Sequence, residues 1–224
     1  MTRISVVLAV RDVAPYLDEA LDSALVQVGD DDEVVVVDDG STDATPELLA
    51  ARGDRIVRRR QAPLGVAEAR NHGLDHSSGR YVCFLDGDDR LAPGALATLV
   101  TALEARPGFG GAIGRTDEFL DPRVTDRRAA GLRAPVTGVS GQFLGAMLLR
   151  REVFAEARFD PTHSRVSTPD WLARARDRGL TLWPVDAVTL HRRLRPGSMT
   201  TDGQAYQEAL LAALRANLAR SRRT

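Results

Sequence analysis

Two apolar runs, each cut off abruptly by acids, constrain this chain more than anything else in it: "EVVVVDDGSTD" at 33–43 and "YVCFLDGDDR" at 81–90. Apolar runs of this length without polar alternation read as strands buried on both faces, as in a parallel sheet covered by helices. "ISVVLAV" (4–10) is a third such run, and "RIVRR" (55–59) reads as an edge strand. Helical spacing separates them. Leu17, Ala20, Leu21, Ala24 and Leu25 recur on one face behind Pro15, and a short helix is expected near Pro46, with Ser41, Thr42, Asp43 and Thr45 as capping candidates. "GVAEARNHGLDH" (65–76) reads as a third helix, and Pro93 opens a fourth carrying Leu96, Leu99, Val100 and Leu103. The expected class is therefore α/β with a mostly parallel central sheet.

The second half is less regular. Residues 120–140, rich in Arg, Gly, Pro and Thr, read as a loop or lid, "FLGAMLL" (143–149) as a strand, and "RREVFAEA" (150–157) as a short helix. "TPDWLARARDRG" (168–179) reads as a helix with Thr168 as cap and Pro169 at its first position, stopped by Gly179. "TLW" and "AVTLH" look like two closing strands, and a final helix from about Asp202 places Tyr206, Leu210, Leu211, Leu214 and Leu218 near one face. The organisation expected is 1–110 as one half, 111–201 as the second half of the same domain, and 202–224 as an amphipathic helix that packs on the domain, on a second copy, or on an anionic membrane.

A net charge of -1 argues against a general nucleic-acid binder. All 30 basic residues are arginine, the side chain suited to bidentate grips on phosphate. The single cysteine, Cys83, lies in an apolar run and reads as a core thiol, while Trp171 and Trp183 read as core before sugar-stacking platforms. The opening "MTRISVVLAVRD" has too short an apolar run for a signal peptide, and no spanning segment occurs. A soluble, cytoplasmic protein is expected.

In open parallel sheets ligands bind beyond the carboxyl ends of the strands, and Asp38, Asp39, Asp86, Asp88 and Asp89 all fall at such ends. If the strands are neighbours, each pair of carboxylates about 4 Å apart repels by roughly 4 kcal/mol at a surface-like dielectric. A cation is expected there, and hard oxygen ligands favour Mg²⁺ or Mn²⁺ over zinc. Each cluster alone is equally ordinary turn and capping chemistry.

"ISVVLAVRDVAPYLDEALDSALVQ", "VVVVDDGSTDAT", "GVAEARNHGLDHSSGRYVCFLDGDDRLAPGAL" and "PDWLARARDRG", in this order, resemble the family 2 glycosyltransferases of the GT-A fold, strongly over residues 3–104 and more loosely over 143–200. The resemblance implies a GT-A-like architecture with a Rossmann-like sheet, whose first half binds a nucleotide-sugar donor and whose second half binds an acceptor. It implies that Asp39 contacts the base, with Asp38 beside it and Ala9, Val10, Arg11 and Asp12 lining the pocket. It further implies that Arg70 and Asn71 face the nucleotide, and that in the Asp86, Gly87 and Asp88 motif Asp88 ligates a divalent metal at the diphosphate, with Asp86 touching the ribose or assisting at the metal and His191 completing its shell. Arg192 or Arg193 is implied at the leaving phosphates and Asp170 as the base, while the residues themselves equally allow Asp170 an ordinary place in the first turn of its helix, favoured by the dipole.

The chemistry that would follow is inverting, metal-assisted transfer of one sugar from a nucleoside-diphosphate sugar, UDP-type first, to a hydroxyl acceptor on a glycan, lipid-linked glycan or small natural product. The chain departs from the family at Pro169, where Glu is common, and at Arg11-Asp12, where Tyr-Asn is common; the Gln-x-x-Arg-Trp signature of processive members is absent. Two alternatives stay open. A sugar nucleotidyltransferase would carry a Gly-rich loop after its first strand, and "LAVRDVAP" has no glycine. A non-catalytic nucleotide-sugar-binding protein on the same fold would bind donor without turnover.

Overall fold

The structure is a computed structural model that describes residues 3–198, 206–213 and 215. Its first half is the alternation the apolar runs require: β1 Ile4–Val10, α1 Ala14–Leu25, β2 Glu33–Asp38, α2 Thr45–Ala51, β3 Val57–Arg60, α3 Val66–Asp75 and β4 Tyr81–Asp86. These four strands run parallel in the order β3-β2-β1-β4, with β3 at the edge. Buried side chains on opposite faces of the strands build two cores. One holds Leu17, Leu21, Leu96 and Leu99 against Val6, Leu8 and Leu85; the other holds Phe84, Phe154, Phe159 and Trp171.

The second half extends the same sheet. β5 Arg90–Leu91, α4 Ala95–Glu104, β6 Gly111–Leu120, β7 Met147–Arg150, α5 Val153–Glu156, α6 Ser167–Asp177 and β8 Leu182–Leu194 complete an eight-stranded sheet of order β3-β2-β1-β4-β7-β6-β8-β5. β7 runs antiparallel to both β4 and β6, and β8 parallel to β6. The two expected closing strands are one continuous strand. Pro184 sits opposite Ile113, next to the point where the β6–β8 register shifts, and it is there that a proline can be tolerated in a sheet. β6 has no counterpart among the expected strands: "GAIGRTDEFL" is too polar to stand out, yet it pairs on both sides.

Three local corrections have simple causes. The strand read at 143–149 opens as a short 3₁₀ turn, Leu144–Ala146, before β7 begins. α4 starts at Ala95, behind Gly94 at φ 73°, two residues later than Pro93 suggests. α6 starts at Ser167, so Thr168 is not its cap; its hydroxyl accepts a hydrogen bond from Arg70 instead.

Residues 121–143 are irregular but tied down, since Thr116 N donates to Val139 O at 3.0 Å and Glu118 N to Val136 O at 2.8 Å. Residues 206–213 are helical; Ala213 is buried and Leu211 is 53% exposed, while Leu214, Leu218 and the terminal "RSRRT" lie outside the described residues. Among the described residues no helix is long and apolar enough to cross a membrane.

Candidate active site

Strand register brings the acids together. Val10 pairs with Asp38 on one side, and Ala9 with Asp86 on the other, so both acidic ends flank the end of β1. A cleft of about 330 Å³ opens there, lined by Ala9, Val10, Arg11, Asp12, Asp39, Asp86, Gly87, Asp88, Asp89, Arg192, Arg193 and Arg195. That volume is at the lower end of what small-molecule sites occupy. A side chain at Gly87 would have to displace its neighbours, because a Cβ would stand 2.8 Å from Val10 Cγ1 and 3.0 Å from Val13 Cγ2.

The wall on the β2 side is built by the "DGSTD" loop. Asp43 Oδ1 accepts from Thr45 N, the first residue of α2, at 2.9 Å, and other side chains here reach across to the beginning of α1. Ser41 Oγ accepts from Asp12 N at 3.0 Å, Thr45 Oγ1 from Val13 N at 3.1 Å, and Asp43 Oδ2 from Ala14 N at 3.0 Å. In return Asp12 Oδ1 accepts from Thr42 N at 2.7 Å, a bond that, with others from Thr42 and Asp43, lowers the Asp12 pKa. Asp12 has φ 50°, a left-handed conformation that aspartate tolerates better than most residues. Asp39 accepts from Gln61 Nε2, Leu64 N and Gly65 N, all at 2.8 Å, and so fixes the 61–65 loop while facing the cleft.

The opposite wall is arginine. Arg193 is buried; its N donates to Asp89 Oδ1 at 2.8 Å, its Nε to Asp88 O at 2.9 Å, and its guanidinium pairs with Glu19 at 2.8 Å. Arg192 pairs with Glu118 at 2.9 Å and lies over Phe143. Arg195, which the sequence reading did not single out, donates from Nε to Asp88 Oδ2 at 2.6 Å. Burial, then the charges of Asp88 and Asp86, raise the Asp89 pKa well above the ordinary aspartate value.

A second cleft of about 280 Å³ adjoins the first and shares Asp86, Asp89 and Arg192; its other walls include Arg70, Phe143, Arg165, Ser167, Thr168, Pro169 and Tyr206. Arg70 faces this cleft, donating to Asp86 Oδ1 at 2.8 Å and to Ser167 Oγ at 2.8 Å.

Four expected site residues are placed elsewhere. Asp38 is 1% exposed; it accepts from Ser41 N at 2.8 Å and sits 3.5 Å from Arg60, so it shapes the loop behind the cleft. Asn71 clamps the Phe159 backbone through both ends of its amide. His191 is not among the cleft-lining residues; it pairs with Arg90 across β5 and β8, and burial followed by the Arg90 charge lowers its pKa. Asp170 is 1% exposed, one residue behind the cleft-lining Pro169, accepting from Arg174 Nε at 2.8 Å with His163 Nδ1 at 3.1 Å.

The expected divalent ion finds a poor fit at Asp88 as the side chains stand. A dication and a guanidinium about 4 Å apart repel by about 8 kcal/mol at an effective dielectric of 20, and both Asp88 and Asp86 already hold guanidinium partners. Asp160, His163 and Asp170 do offer three ligand atoms within 4.8 Å of one another, a spacing a metal ion can use. That group is not on the wall of either cleft.

A helix-flanked sheet with such a cleft at its strand ends is the GT-A class of fold, and solved structures agree. S. aureus TarS (residues 1–349) in complex with UDP-GlcNAc superposes with a TM-score of 0.68 at 16% identity, over 95% of this chain and 65% of that one. Glucosyl-3-phosphoglycerate synthase from Mycobacterium tuberculosis, crystallised with Mn²⁺, UDP and phosphoglyceric acid, superposes with a TM-score of 0.70 at 22% identity, over 96% and 78%. At these identities the likeness is one of fold. A family model described as Glycosyl transferase family 2 matches residues 5–158, and the chain belongs to that family. Glycosyltransferase GlyA of Streptococcus pneumoniae serotype 4 is 40% identical over 100 residues, which are 43% of this chain and 14% of that protein. The chain thus matches only a part of the curated relatives' length.

Proposed function

We propose that this chain transfers a single sugar, with inversion, from a nucleoside-diphosphate sugar to a hydroxyl acceptor, the donor lying in the larger cleft and the acceptor entering through the smaller. The observation that carries this reading is the convergence of Asp39 and Asp88, from two separate strand ends, on one cleft walled by arginines. The fold shared with proteins crystallised with UDP-GlcNAc and with UDP supports a UDP-type donor. In the reaction the bond from the anomeric carbon to the diphosphate breaks, the acceptor oxygen bonds to that carbon, the acceptor proton passes to a base, and the nucleoside diphosphate leaves carrying the electron pair.

This chain's residues would divide the work as follows. Ala9 to Asp12 and Asp39 receive the nucleoside; Asp88, Arg192 and Arg193 surround the diphosphate; Asp86, shared by the two clefts, stands between donor and acceptor. Positive groups aimed at the departing diphosphate stabilise charge that develops in the transition state. The base is proposed at the start of α6. Asp170 takes that role by leaving Arg174 and His163 when acceptor fills the space beside Thr168 and Pro169.

The test is incubation with a panel of nucleotide sugars and a broad acceptor pool, scoring release of nucleoside diphosphate. Wild type is expected to turn over one donor, and Asp88→Ala to lose about 100-fold in rate, because Arg195 loses the carboxylate that fixes it in the cleft. Tight donor binding with no turnover would favour a non-catalytic binding protein. Formation of pyrophosphate from a nucleoside triphosphate and a sugar phosphate would favour a nucleotidyltransferase.

A further inference from the structure

The acids at the strand ends require a cation, and the structure already provides one. Arg195 donates from Nε to Asp88 Oδ2 at 2.6 Å inside the cleft, its side chain 18% exposed and its guanidinium 4.8 Å from the centre of the Tyr16 ring. Its approach is fixed by the residues before it. Arg193 bonds to Asp89 through its backbone and to the Asp88 carbonyl through Nε, which straps the end of β8 across the "DGDD" turn. A guanidinium has five donors in a planar fork. Asp88 takes one and the Pro196 carbonyl, at 3.4 Å, another, so the same group can hold the acid and present further N–H groups to phosphate oxygens.

Resting on the donor-cleft reading above, we propose that Arg195 is the resident countercharge of this site: it, and not a divalent ion, neutralises Asp88 and grips the diphosphate of the donor and of the leaving nucleotide. No new bond-making step is added; Arg195 stabilises the anion released when the glycosidic bond breaks. Lysine would be a weak substitute, since a point charge cannot serve carboxylate and phosphate with matched planar donors.

Calorimetric titration with UDP, GDP and dTDP tests this without turnover. At least one nucleotide is expected to bind wild type in EDTA with a Kd within about threefold of its value in Mn²⁺. Arg195→Gln should weaken binding in EDTA by at least about tenfold, with partial recovery in Mn²⁺ because Asp88 is then released, and Arg195→Lys should fall between. Thermal unfolding midpoints close to wild type would show that both variants are folded, and the lysine variant keeps the test decisive should glutamine perturb the fold. Wild-type binding that collapses in EDTA, with Arg195→Gln binding normally in Mn²⁺, would overturn the proposal and leave the donor-cleft reading standing. Failure of all three nucleotides to bind wild type under either condition would remove that reading and this proposal with it.

Discussion

Asp89 is almost wholly buried, yet lies beside two other aspartates, and those two conditions act in the same direction. Burial first, and the neighbouring charges second, raise its pKa, so the folded chain holds this proton more tightly than the unfolded one. Stability must then fall as pH rises from the ordinary aspartate range near 4 through the raised folded value, with no contribution below both. An asparagine side chain at this position would carry no such penalty and would keep an oxygen for the Arg193 N–H. Asp89→Asn is expected to melt above wild type at about pH 7.5, with the gap narrowing toward about pH 5; a gap independent of pH would show that Asp89 is ionised throughout. At this scale the gathering of Asp39, Asp86 and Asp88 at strand ends was legible in the sequence, because each lies within about three residues of the end of an apolar run. Arg195 was not, since nothing near it in sequence reveals that β8 returns to the "DGDD" turn about a hundred residues earlier in the chain; that contact depends on the pairing of β8 with β5. Asp38 misled for the opposite reason. It is adjacent to Asp39, but alternation along a strand points neighbouring side chains to opposite faces.

Elements with a strong local period are legible, and those without one are not. The buried positions of α1, Leu17, Ala20, Leu21 and Ala24, are those its spacing predicts. β6 escapes notice because its inward residues are separated by Arg115, Asp117 and Glu118, the last buried with Arg133 and Arg192 as partners. α6 matters most for the site, since its first turn walls the smaller cleft, and its anchor is Trp171. This ring is fully buried, stacks on Phe154 at 5.2 Å and donates from Nε1 to Ala157 O at 2.7 Å. Both the expectation that Trp171 is core and the reason agree with the packing. Trp171→Ala should cost about 4 kcal/mol in urea unfolding, by lost transfer and cavity terms together. A loss below about 1 kcal/mol would mean that α6 is held by other contacts.

In the whole molecule, one eight-stranded sheet carries both clefts, so the proposed donor and acceptor sites share a single framework. The parallel half was legible because its strands are continuous apolar runs separated by stretches of helical spacing. The order of the remaining strands was not, because β6 and β7 are separated by a long irregular segment and β7 and β8 by two helices and a 3₁₀ turn, connections that leave the pairing open. The cleft between Asp39 and Asp88 is proposed to receive a nucleoside diphosphate. A crystal structure grown with saturating UDP is the decisive test: the base is expected against Asp39 and Asp12 and the two phosphates between Asp88 and Arg195. Density for UDP at any other place on the chain, with this cleft filled only by water, would contradict it.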